Sequence, residues 1–124
     1  MVGAVERIRV LFAEGAATAV RGLRDALDRQ RDMVVVKTIA GRGLGLLVAV
    51  REERPDVVVV ELERGQLPGE CTHVLGEDPH IAVLALGAGE QCKIYRFDLQ
   101  GRDVSDLSLD GLIDAIRATL RIGN

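Results

Sequence analysis

Aromatic side chains are nearly absent: the chain has no tryptophan, one tyrosine (Tyr95) and two phenylalanines (Phe12 and Phe97) in 124 residues. Base stacking needs aromatic faces, so little is available for holding single-stranded nucleic acid. Two cysteines, Cys71 and Cys92, are too few for a disulfide framework and are expected as reduced thiols. Charge of one sign is lacking too. The 16 basic and 19 acidic residues are dispersed and leave a net charge of −3, without the basic stripe that phosphate binding requires, so direct nucleic-acid binding is not expected. No apolar run approaches the roughly 20 residues of a membrane span. The start, Met1-Val2-Gly3-Ala4-Val5-Glu6-Arg7, lacks the basic segment and long apolar stretch of a signal peptide. No membrane association and a cytoplasmic location are the expectations.

What is present is apolar content of 48%, enough for residues 1–124 to close one core as a single domain. Strand and helix patterns alternate. Ile8 to Phe12 is a β-branched and apolar run. From Ala16 to Arg29, Val20, Leu23 and Leu27 recur at helical spacing among charged residues. Met33 to Ile39 reads as a second strand, and Leu44 to Arg54 as a helix that Pro55 ends. Val57 to Glu61 is a third strand whose unbroken valines imply cover on both faces. After a polar loop, Glu70 to Leu75 leaves room for only one or two helical turns before Gly76, a shortened third helix. Ile81 to Leu86 supplies a fourth strand. Ser108 caps a last helix in which Leu112, Ile113, Ile116 and Leu120 form one stripe. This order implies an α/β fold with a parallel sheet and helices on both faces.

Gly87 to Leu107 breaks the alternation. Cys92 to Phe97 reads as a strand with Lys93, Tyr95 and Phe97 on one side and Cys92, Ile94 and Arg96 on the other. Asp98-Leu99-Gln100-Gly101-Arg102 is a turn candidate, and Asp103 to Leu107 a return strand or an irregular connection. A strand or hairpin here would replace the fourth helix.

Pro55 to Glu61, a strand ending in a carboxylate, resembles the third strand of a response-regulator receiver domain, the phosphoryl-accepting module of two-component signalling. Ile8-Arg9-Val10-Leu11-Phe12-Ala13-Glu14 resembles the receiver opening, Pro68-Gly69 the loop after the third strand, and Ser108 to Arg117 the last helix. With Ile81 to Ala88, the likeness covers roughly three quarters of the chain. It implies a flavodoxin-like fold with strand order 2-1-3-4-5 and a site outside the carboxyl ends of the strands.

The resemblance also implies an atypical receiver. Magnesium-assisted phosphoryl transfer needs several hard oxygen ligands around an acceptor aspartate. Glu14 matches the first residue of the family's acidic pair, but Gly15 matches the second, Glu61 replaces the acceptor, and Gly87 replaces the hydroxyl-bearing residue. The family's lysine falls near Ser105, or at Lys93 if Cys92 to Phe97 is the fifth strand, where it begins the strand instead of ending it. The resulting expectation is a phosphorylation-deficient pseudo-receiver, not an enzyme, that regulates a partner protein, with transcription a candidate process, through a remodelled C-terminal face. The alternative is a small-molecule sensor whose ligand occupies the crevice of Glu14, Gly15, Glu61 and Gly87. Glu61 either mimics a phosphorylated residue or is a solvated carboxylate.

Other constellations are weaker. Cys71, His73, His80 and Cys92 have no familiar zinc spacing, so no metal site is assigned. Gly41-Arg42-Gly43-Leu44-Gly45 lacks the third glycine of a dinucleotide fingerprint, and no cofactor is assigned. Loss of the fourth helix would uncover Val83, Leu84, Tyr95 and Phe97. An interaction face at Lys93, Tyr95 and Phe97 is therefore expected, used by a protein partner or by a second copy in a homodimer, including by pairing of the Cys92 to Phe97 edge.

Overall fold

Val57, Val58, Val59 and Val60 are all buried, which needs helices on both faces of the strand that carries them, and the structure supplies them. The computed structural model describes residues 7–13, 15, 20–40, 43–62, 64–87, 92–96 and 98–122. Its strands are β1 (Ile8–Ala13), β2 (Met33–Ile39), β3 (Val57–Glu61), β4 (Ala82–Leu86), β5 (Cys92–Arg96) and β6 (Asp98–Asp103), and its helices α1 (Leu23–Asp28), α2 (Leu44–Glu53), α3 (Gly69–Glu77) and α4 (Leu109–Ile122). They form one six-stranded sheet in the order β2-β1-β3-β4-β5-β6. β2, β1, β3 and β4 are parallel, whereas β5 and β6 run antiparallel to their neighbours.

The sheet divides the core into two layers. Val10, Phe12, Val57, Val59, Leu84, Cys92 and Ile94 pack with Leu23 and Leu27 of α1 and Leu112, Ile113 and Ile116 of α4. Leu11, Val58, Val60, Val83, Ala85 and Tyr95 pack with Leu46 and Ala49 of α2 and Cys71, Val74 and Leu75 of α3. Burying each large aliphatic side chain contributes about 1.5–3 kcal/mol.

The expected α/β fold and the 2-1-3-4 order hold, and the end of the sheet differs from a simple receiver. Only residues 87–91 separate β4 from β5, too few for the crossover of a dozen or more residues that a parallel neighbour requires, so β5 returns antiparallel. The hairpin is present, but 98–102 is strand, not turn: Arg96 already faces Asp98, and Val104 to Leu107 forms the irregular connection. Gly101 is accommodated because β6 is an edge strand. α3 is longer than expected, since Gly76 does not stop it. Of the helix expected over Ala16 to Arg29, residues 16–19 lie outside the described residues; α1 begins after Gly22, whose φ of 84° is left-handed. β5 is interior, flanked by β4 and β6, so its edge cannot pair with a second copy. Val83, Leu84 and Tyr95 are buried, which corrects the expectation of an apolar face there. No helix among the described residues is long and apolar enough to cross a membrane.

α4 is pinned at both ends. The Ser108 hydroxyl accepts from the Gly111 N–H (3.0 Å), as its position in the sequence indicates, and itself donates to Asp106 Oδ1 (2.7 Å). Those bonds favour the ionised carboxyl of Asp106 and lower its pKa. Further along, Arg117 makes a two-pronged pair with Asp32 (Nε to Oδ2 2.7 Å, Nη2 to Oδ1 2.8 Å) and also reaches Gln30 (2.9 Å). Near the helix end, the Arg96 guanidinium donates to the Thr119 carbonyl (2.6 Å), a cationic cap across from β5.

Two substitutions test this anchoring. A Cβ on Gly111 would sit 2.3 Å from the Asp106 carbonyl oxygen, so Gly111→Ala should destabilise by about 1–3 kcal/mol in urea denaturation, although alanine is the better helix former. Arg117→Met, which leaves Asp32 without its forked donor, should cost about 1–2 kcal/mol by the same measurement.

Candidate functional site

The carboxyl ends of the parallel strands meet where an open α/β sheet places its site. β1 ends at Ala13, β3 at Glu61 and β4 at Leu86, with Glu61 in register with Leu86 and Phe12 with Val59. Gly15 therefore lies beside Glu61. A Cβ built on Gly15 would be 3.0 Å from Glu61 Oε1, 3.5 Å from its Cβ and 3.7 Å from its Cδ. The glutamate thus lies across the space that a side chain at position 15 would fill. The glycine at 15 and the glutamate at 61 are two halves of one arrangement.

Gly87 follows β4 at the same edge, half-buried and with no hydroxyl to offer. The ladder continues one residue beyond Glu61, as the Leu62 N–H donates to the Leu86 carbonyl at 2.7 Å. On the β2 side, the Gly43 N–H donates to Glu70 Oε2, tying the start of α2 to the first turn of α3. Gly43 has φ 77° and ψ −135°, a conformation open essentially to glycine alone. Its amide is engaged by a carboxylate and not left free to cradle a phosphate. Glu70 carries no motif that marks it in the sequence; only the packing of α3 against α2 brings it there.

The reversal of β5 relocates Lys93. Its strand begins at the edge where β4 ends, with Lys93 opposite Ala85, so the lysine reaches the carboxyl edge by starting its strand instead of finishing it. It occupies the row of Val60, Ala85 and Tyr95, on the α2 and α3 side, whereas Glu61 continues the row of Val57 and Val59 on the other face. Lys93 Nζ lies 4.0 Å from Asp103 Oδ1 of β6. The length of the 87–91 connection was the signal in the sequence for this direction.

The expected residues thus divide. Gly15 and Glu61 come together, with Gly87 along the same edge. Glu14 and Phe97 lie outside the described residues. Lys93 is exposed, but Tyr95 is only 8% exposed, so it offers no apolar contact surface. Among the described residues no three histidine, cysteine or carboxylate side chains converge as metal ligands. The cysteines lie in different layers, Cys71 on α3 and Cys92 on β5 beneath α4, while His73 and His80 are exposed.

No protein-family model matches the chain, and no curated protein matches it either. The functional reading accordingly rests on the strand order and on the side chains at this edge.

Burial pushes the Cys71 thiol up to about 12, with a further push from Glu70, and the Cys92 thiol up to about 11. Both remain protonated at neutral pH and are poor nucleophiles. Iodoacetamide at pH 8 should label neither in the folded protein and both in 6 M guanidinium. Stability should also fall as pH rises above about 9, where the unfolded thiols ionise and the folded ones do not.

Proposed function

We propose that the chain is a receiver-like interaction module that regulates a partner protein without aspartyl phosphorylation. The observation that carries this reading is the position of Glu61 over Gly15. Phosphoryl transfer to a carboxylate requires an open approach to the acceptor oxygen and a metal ion that neutralises the transferred group. Here the carboxylate at the end of β3 fills the adjoining space, and position 15 has no side-chain oxygen to offer a metal. The described residues do not fit magnesium.

Among the described residues, switching also lacks its parts. A phosphorylated receiver-like site needs a group that moves toward the new charge, because a signal requires two states that the modification separates. Gly87 has no side chain to move, and Lys93 lies on the other face of the sheet. Regulation through this fold would then be by occupancy: the partner binds or does not bind a surface that the rigid sheet presents.

An amide-shift titration with magnesium and then beryllofluoride tests the reading. Gly15, Glu61 and Gly87 should show no saturable shift. Saturable shifts that spread through β5 and β6 would overturn it. The paired variant Gly15→Asp and Glu61→Asp, which shortens one side chain and supplies the other, should gain magnesium-dependent shifts at this edge that the parent chain lacks.

A further inference from the structure

Among the described residues, the large apolar side chains that remain exposed are Leu44, at 78%, and Val48, at 51%. They stand one turn apart on α2 and form a stripe that is continuous with Leu47 and Val50 beside it. Leu47 and Val50 line a groove of about 630 Å³ between α2 and α3, which opens at the amino ends of β3 and β4, the edge opposite Glu61. Arg51 and Arg54 stand at the end of the stripe and border the groove. An exposed apolar stripe on a small domain marks a contact surface.

The charges around the groove are not in the same condition. Each acid already has a partner: Asp56 Oδ2 accepts from the Arg9 N–H (2.8 Å), Asp78 Oδ1 from the His80 N–H (3.0 Å), and Glu77 Oε1 meets His73 Nε2 (2.6 Å). The carbonyls at the end of α2 are also occupied, that of Val50 by the Arg54 N–H (3.0 Å) and that of Glu53 by the Arg9 guanidinium (2.7 Å from Nη2). The guanidinium groups of Arg51 and Arg54 make no hydrogen bond or ion pair with any described residue. Arg54 moreover holds φ 48°, a left-handed backbone that costs a non-glycine residue about 1–2 kcal/mol. An arginine stands where glycine would be easier.

We propose that α2 and the groove beside it form a docking site for an acidic amphipathic helix of a partner protein, with apolar residues along Leu44, Leu47 and Val48 and carboxylates on Arg51 and Arg54. Forked guanidinium groups suit carboxylates, and a short apolar stripe suits a helix that presents residues one turn apart. The proposal rests on the interaction-module reading and names its surface. That reading fails in the beryllofluoride titration at the opposite edge, so the two can fail separately.

The test uses a synthetic helical peptide with leucines on one face flanked by glutamates, and the same peptide with lysines in their place. The glutamate peptide should give saturable amide shifts confined to residues 44–54 and 73–80, and the lysine peptide none. Arg51→Gln with Arg54→Gln, and separately Leu44→Ser with Val48→Ser, should each weaken binding roughly tenfold or more. All four side chains are exposed, so thermal unfolding should confirm that both variants remain folded. Equal binding of the two peptides, or affinity unchanged in either variant, would overturn the proposal. A dimer of the unliganded chain in sedimentation that Leu44→Ser with Val48→Ser dissolves would assign the stripe to a second copy and overturn it as well.

Discussion

β3 and β4 bury every side chain from Val57 to Val60 and from Ala82 to Leu86, and the rest of the structure depends on that double burial. A strand with no polar side cannot lie at a surface, so each face must carry helices: α1 and α4 on one, α2 and α3 on the other. Only residues 87–91 lie between β4 and β5, too few for a crossover helix that would extend the alternation. The sheet is completed by a hairpin, and α4 crosses back beneath it, held to the start of β2 through Asp32 and to β5 through Arg96. The forked pair of Arg117 joins residues 85 positions apart, so it stabilises the closed domain and not any local segment.

Much of this was legible because the strong signals were periodic or punctuating. The boundaries of β2 and β3, the stop of α2 before Pro55, and the Ser108 cap of α4 all follow from residues whose local preference agrees with the tertiary fold. The misreadings share a cause. Gly76 and Gly101 are punctuation in isolation, yet α3 continues through the first and β6 through the second, because packing and edge position outweigh a single glycine's preference. The burial of Tyr95 was hidden because α3, longer than expected, brings Cys71, Val74 and Leu75 into its layer.

At the candidate site, the resemblance to a receiver domain could name Gly15 and Glu61 but not their relation. Each substitution alone reads as a loss. In space one compensates the other: an aspartate at 15 would set its Cβ against the Glu61 carboxylate and bring two like charges together in the same volume. The direction of β5 shows a similar coupling. Reversing the strand returns a lysine to the correct edge but, by the two-residue period of a strand, on the face away from Glu61. Sequence position alone could not separate edge from face.

The two proposed surfaces lie at opposite edges of the sheet, and α2 spans the distance between them. Its ten residues extend for about 15 Å. Its first turn is fastened at the carboxyl edge by the Gly43–Glu70 bond, and its last delivers Arg51 and Arg54 to the amino edge. Both ends are set by left-handed residues, Gly43 and Arg54, so a displacement of the helix would be absorbed there and not in its middle. The buried side of α2, Leu46 and Ala49, resists such movement, since a close-packed layer has no room for a continuous shift. A helix so fixed suits recognition better than relay: it presents an apolar stripe and two arginines in constant geometry, which lowers the ordering cost of binding. The same rigidity that leaves Glu61 without a moving partner is what would make α2 a dependable surface.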